Sequence, residues 1–165
     1  MPFQPSVNVY RGVGQAGQPA STSPIIAAAG GPGAFQATAN GVKIASFVFR
    51  EAADSVLVSN VAAAVTDKPV GFVQNLGQAT ILTGSSNSMT ILGGVEVSPK
   101  VGGDFWALSA TDATVGQKVF ASVLDGSIST GATGATIADH IETDWYVSHG
   151  ASAGDLIVIS TWSKA

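Results

Sequence analysis

The sequence predicts an all-β chain, a sandwich or barrel, and three observations carry that reading. It holds 19 Val and 10 Ile against 7 Leu, and β-branched aliphatics pack on pleated sheets whereas Leu favours helices. Its 20 Gly and 7 Pro punctuate the chain every few residues and mark turns. Between these breaks, short apolar or alternating runs recur, as they do in sandwiches and barrels.

In chain order, residues 1–41 come first as an extended N-terminal arm. Five prolines fall there, Pro2, Pro5, Pro19, Pro24 and Pro32, which forbids a continuous helix or a central strand. One short strand is expected at Val7-Asn8-Val9-Tyr10. A β body follows over 42–165. Its strands are expected within 42–50, 56–65, 70–75, 80–83, 89–97, 105–110, 117–123, 127–130, 136–141, 144–148 and 156–162. Asp125-Gly126 reads as a two-residue hairpin turn, because such a turn needs positive φ at its centre. Only 51–65 has any helical character, and its valines and Ser59-Asn60 argue against it.

Charge and composition exclude several functions. Charged residues are 11% of the chain, against about 25% in an average soluble domain, so much of the surface is neutral. The net charge of −4 hides an asymmetry: residues 1–50 hold Arg11, Lys43 and Arg50 and no acid, while all 11 acids lie beyond them. With 7 bases in all, there is no basic patch to release counterions from phosphates, and nucleic acid is not an expected partner. No apolar run approaches the roughly 20 residues that span a bilayer, so no transmembrane helix is expected. The first residues lack a basic and an apolar signal region, and synthesis in the cytoplasm is expected. The absence of Cys removes disulfides, thiolate metal sites and thiol catalysis.

Candidate chemical sites fail on context. Gly12-Val13-Gly14-Gln15-Ala16-Gly17 matches the dinucleotide pattern, but Gln18-Pro19 follows where a helix must begin and the first acid is Glu51. His140 and His149 lie near Asp139, Glu142 and Asp144 without ligand spacing, and they read as a solvated strand face rather than a metal site. No serine sits in a nucleophile elbow, so no enzyme and no cofactor is expected. Trp106, Trp145, Tyr146 and Trp162 make a carbohydrate-binding or adhesive module the alternative, although aromatics in strands are more often core.

Several strings taken together carry a resemblance. They are FQPSVNVY at the start, GVKIASFVF at 41–49, DFWALS at 104–109, VGQKVFASVLDGSIST at 115–130, ETDWYV at 142–147 and AGDLIVISTW at 153–162. In this order and spacing they resemble the structural cement, or head decoration, proteins of tailed bacteriophages. The resemblance implies a jelly-roll-like body on the outer surface of the expanded capsid. It implies a symmetric homo-oligomer, dimer or trimer, bridging neighbouring major capsid protein subunits against internal DNA pressure, with no catalysis. The family pattern has a Gly-Arg pair where this chain has Ala45-Ser46, so any contact made by that Arg is lost or moved. From the residues themselves, Phe3, Val7, Val9, Tyr10 and Arg11 are expected to contact the partner, because an apolar extended arm can add to a sheet edge. Deleting residues 1–24 is expected to leave a folded body that no longer binds capsids.

Overall fold

Phe47, Val48 and Phe49 are consecutive, apolar and fully buried, which is possible only for a strand covered on both faces. The computed structural model, which describes residues 14–30, 34–77 and 89–162, shows how that covering is built. The strands are β1 (Ile26–Ala27), β2 (Phe35–Ala37), β3 (Val42–Lys43), β4 (Phe47–Arg50), β5 (Leu57–Ser59), β6 (Gly71–Val73) and β7 (Thr90–Ile91). They continue with β8 (Glu96–Val97), β9 (Pro99–Gly102), β10 (Asp104–Leu108), β11 (Lys118–Ser122), β12 (Ile128–Gly131), β13 (His140–His149) and β14 (Leu156–Ser160). No helix occurs among the described residues, and the all-β sandwich expected from composition is what forms.

A seven-stranded sheet has the order β1-β9-β6-β4-β5-β2-β8, and a five-stranded sheet the order β10-β14-β13-β11-β12. All pairs are antiparallel except β2 with β5. Phe47, Phe49 and Phe72 pack with Phe105, Ala107, Val119, Trp145, Val147, Ile157 and Ile159 from the five-stranded sheet in one core. Val48 and Val73 point the other way, into a second core with Phe35, Val58 and Val97 that is capped by Val42, Ile44 and Ile91 around the β3-β7 pair. The chain after β10 closes the five-stranded sheet, because Ala110 N donates to Ile128 O at 2.8 Å and Thr130 N to Thr111 Oγ1 at 2.8 Å. That leaves β12 no open edge there.

Four rings join the sheets. Phe72 lies 5.7 Å from Phe47, 5.4 Å from Phe105 and 6.1 Å from Trp145, centroid to centroid, within the favourable range for aromatic pairs. Trp145 is there because β13 alternates: Thr143, Trp145 and Val147 face inward while Asp144 faces solvent.

Several expected runs are subdivided. The run 42–50 breaks at Ala45, whose φ of 61° is left-handed and costs a non-glycine residue strain. The break sends β3 to pair with β7 and β4 into the large sheet. Asn60 holds this corner: its Oδ1 accepts from Lys43 N at 2.7 Å, and its Nδ2 donates to Ser46 Oγ at 2.7 Å and Phe47 O at 3.0 Å. The run 89–97 divides at Gly93-Gly94 into β7 and β8, with Gly93 pressed on the Ala39 backbone. Of 56–65 only β5 is strand, and 136–141 is a turn that ends as β13 begins. The stretch 80–83 lies outside the described residues. Strand β9 was not expected; Pro99 is tolerated because it opens the strand.

The hairpin at Asp125-Gly126 exists, but with a wider loop than expected. Residues 123–126 are closed by Ser122 N donating to Ser127 O at 2.8 Å and Gly126 N to Ser122 O at 2.9 Å. Gly126 has φ 70°, and a Cβ there would collide with Phe47 O at 2.1 Å, so this glycine docks the loop on β4. Burial pushes the Asp125 carboxyl up, but the hydroxyl and amide of Ser127, the Ser122 hydroxyl and Lys43 outweigh it and hold it below the ordinary carboxylate range.

Candidate functional site

Residues 14–30 run along one flank of the body, attached mainly by backbone. Gly14 lies against the Trp106 indole with no room for a Cβ. Gly17 N donates to Trp106 O at 2.7 Å, Trp106 N to Gln18 O at 2.9 Å and Ala20 N to Asp104 O at 2.8 Å, so 17–20 lies along the edge of β10, with an isolated bridge from Pro19 to Phe105. Further along, Trp162 Nε1 donates to Pro24 O at 3.1 Å and β1 pairs with β9, Ile26 opposite Gly102. This described part of the segment expected as an arm is thus laid on the sheets, and β2 is inside the second core.

Asp104 clasps the turn between these contacts. Ser21 Oγ donates to its Oδ2, and Ser21 Oγ also accepts from Ser23 N at 3.0 Å. Burial raises the Asp104 carboxyl, but the hydroxyls of Ser160, Ser21 and Ser23 outweigh that and hold it below the ordinary carboxylate range. A carboxyl lowered in the folded state stabilises fully above its unfolded value, near pH 4, and the contribution disappears as pH falls through the folded value. We expect exchange of the Ala20 amide to accelerate as pH is lowered below about 4, after correction for intrinsic exchange. Asp104→Asn should show fast exchange already at neutral pH; an unchanged Ala20 amide in that variant would refute the clasp.

The side chains of this flank face outward. Ile25 is 40% exposed, Ile26 46%, Val101 44% and Trp162 49%. Three of them lie on one run of contacts: a Cβ on Gly103 would meet Ile25, one on Gly102 would meet Ile26, and Trp162 holds Pro24. No charged residue occurs between Arg11 and Lys43. An open groove of about 630 Å³ adjoins this patch through Ala27 and Val101, and Arg50, Glu51, Asp67 and Lys68 stand around it. Two of these charges are fasteners: Arg50 donates to Ser55 O at 3.2 Å and Asp67 accepts from Ala64 N at 2.8 Å.

The expected partner-binding residues Phe3, Val7, Val9, Tyr10 and Arg11 lie outside the described residues. The four aromatics of the alternative reading are not brought together. Trp145 is core, Tyr146 sits under Lys118 Nζ at 3.9 Å, and Trp106 meets His149 edge-on at 6.4 Å. His140 bonds Ser129 Oγ at 3.0 Å and Ala138 O at 2.7 Å, and Glu142 accepts from Gly134 N at 2.7 Å. Among the described residues no three His, Asp or Glu side chains converge as a metal site. Gly14 to Gly17 leads into an isolated bridge at Pro19, not a helix. The outward patch itself was missed from sequence; the charge-free stretch 12–42 was the signal that could have found it.

A family model described as XM1 gp53 minor capsid protein matches residues 3–161. The chain belongs to this family. It is therefore a phage structural protein of the capsid, associated with capsid proteins in the virion. A chain in the solved capsid of Myoviridae phage XM1 has the same fold as this minor capsid protein, with a TM-score of 0.64 at 18% identity over 98% of both chains. The N base of head fiber gp8.5 of bacteriophage phi29 is more distant, with a TM-score of 0.44 and 13% identity over 83% of this chain and 93% of that one. No curated protein matches the chain.

Proposed function

We propose that this minor capsid protein is a cement protein. It decorates the outer surface of the expanded head as a symmetric homo-oligomer, dimer or trimer, and bridges neighbouring major capsid protein subunits. The observation that supports this best is the uncharged stretch 12–42, in which Ile25 and Ile26 lie exposed on the body while Phe35, Ala37 and Val42 are core. Covering such a surface desolvates no ion. Of the segment 1–41, the capsid contact is assigned to residues 1–13, since 14–30 lie on the body and β2 is in the second core. Fully extended, residues 1–13 span about 45 Å, enough to engage a neighbouring subunit with Phe3, Val7, Val9, Tyr10 and Arg11.

The mechanism is linkage. A ligand that binds only the expanded shell stabilises that state by its binding free energy, and modest affinity per copy multiplies over many copies. No chemistry is required of the protein, and it acts without a cofactor. The test is cosedimentation with expanded heads that lack the protein, with unexpanded procapsids as the control. Saturable binding to expanded heads at a simple ratio to the major capsid protein is expected. Equal binding to procapsids refutes expansion selectivity, and no binding to either particle refutes the cement role.

A further inference from the structure

We infer that residues 132–139 form a strap that closes over Phe120 on the outer face of the five-stranded sheet and opens as a unit while the body stays folded, with Glu142 as its latch. This is a property of the fold alone and holds whatever the body binds.

Strand β11 is buried along its whole length, yet only one of its faces looks into the sandwich. Val119 and Ala121 belong to the core between the sheets and Phe120 does not, so alternation turns the Phe120 ring outward. The ring is nevertheless 1% exposed. Its cover is the strap: a Cβ on Gly131 would lie 3.3 Å from Phe120 Cε2, 3.3 Å from Ile137 Cδ1 and 3.7 Å from Ala135 Cβ, so these three side chains meet around Gly131.

The rest of the strap touches the body lightly. Residues 132–136, 138 and 139 are exposed and Ile137 is half-buried. Among the described residues, the backbone-to-backbone hydrogen bonds of 132–138 stay within 132–140, Ala135 N donating to Ala132 O at 3.1 Å and His140 N to Ile137 O at 3.2 Å. Asp139 is the fixed end. Its carbonyl accepts from Val123 N at 2.9 Å, and its φ of 55° turns the chain sharply into β13.

Two side chains of β13 tie the strap down. Near the fixed end, His140 has Nδ1 at 2.7 Å from Ala138 O and Nε2 at 3.0 Å from Ser129 Oγ. A carbonyl oxygen only accepts, so Nδ1 carries the proton and Nε2 accepts from the Ser129 hydroxyl. At the far side, Glu142 Oε2 accepts from Gly134 N at 2.7 Å while Lys118 Nζ stands 3.9 Å from Oε1. A hydrogen bond to a charged acceptor is stronger than a neutral one, which makes this bond the main restraint on residues 133–136. A segment held by so few bonds and so little apolar contact belongs to the low-stability end of a domain. Opening uncovers Phe120.

The test is native-state hydrogen exchange on the full chain at fixed pH, read at the Gly134 and Ala135 amides. The reference is the Val147 amide, which donates to Gln117 O at 2.9 Å within the body. After correction for intrinsic exchange, the strap amides of the wild type should exchange about tenfold or more faster than Val147. Glu142→Ala should accelerate them by about tenfold or more again. Ile137→Ala, which only thins the cover, should accelerate them too, and neither variant should change Val147. Glu142→Gln keeps an acceptor oxygen and should behave like the wild type. Strap amides that exchange no faster than Val147 in the wild type, or equal acceleration of Val147 in both alanine variants, would show that the strap opens only with the whole body and overturn the inference. Equal acceleration in Glu142→Gln and Glu142→Ala would place the effect in the ion pair with Lys118 and overturn Glu142 as the latch.

Discussion

Removal of residues 1–13 is expected to abolish cosedimentation with expanded heads and to leave the melting of the β body unchanged. The cut belongs before Gly14 rather than after Pro24, because Gly17 N, Gln18 O and Ala20 N bond to β10. Cutting later strips partners from Trp106 and Asp104 and confuses a folding defect with a binding defect. Burying a side chain such as Phe3, Val7 or Val9 is worth about 1.5–3 kcal/mol, while ordering each backbone residue costs about 1–2 kcal/mol. These terms nearly offset each other, so under the proposed reading any net gain per copy would be small, and a symmetric oligomer would convert it into avidity. Losing it from every subunit at once removes the whole advantage. Full occupancy of heads by the truncated protein would eliminate the arm as the grip.

Phe72→Ala destabilises the fold by about 3–5 kcal/mol, the usual cost of removing a fully buried aromatic. Phe72 is inaccessible and touches Phe47, Phe105 and Trp145, so the cavity opens where the two sheets meet. Surrounding rings belong to β4, β10 and β13 of both sheets and cannot all collapse into the gap. A loss of this size is a large part of the about 5–15 kcal/mol that holds a typical domain together. Denaturant unfolding followed by tryptophan emission measures it, with Leu124→Ala, 62% exposed, as a control expected to stay within about 0.5 kcal/mol. A cost for Phe72→Ala below about 1 kcal/mol would show that the ring cluster does not join the sheets.

The C-terminal half was the most legible part of the chain. The runs expected at 105–110, 117–123, 127–130, 144–148 and 156–162 fall on β10 to β14, because these strands are long enough to show alternation and β11 and β12 are joined by a local turn. The N-terminal half was not legible to the same degree. Its strands span two to four residues, and their partners are remote: β1 pairs with β9, and β2 with β5 and β8. A short segment such as Phe35–Ala37 has too few residues for a period to appear.

Composition and patterning by themselves determined that this chain is all-β and short in charge. They also show a charge-free stretch, 12–42, but not which of its residues are exposed. Only the tertiary structure decided that residues 14–30 lie on β9 and β10, that Trp145 is core while Trp162 is half-exposed, and that Ile25 and Ile26 are exposed. The reason is physical: burial of a strand residue depends on which sheet face its partners cover, and those partners are brought together by pairing across long separations that no local pattern encodes.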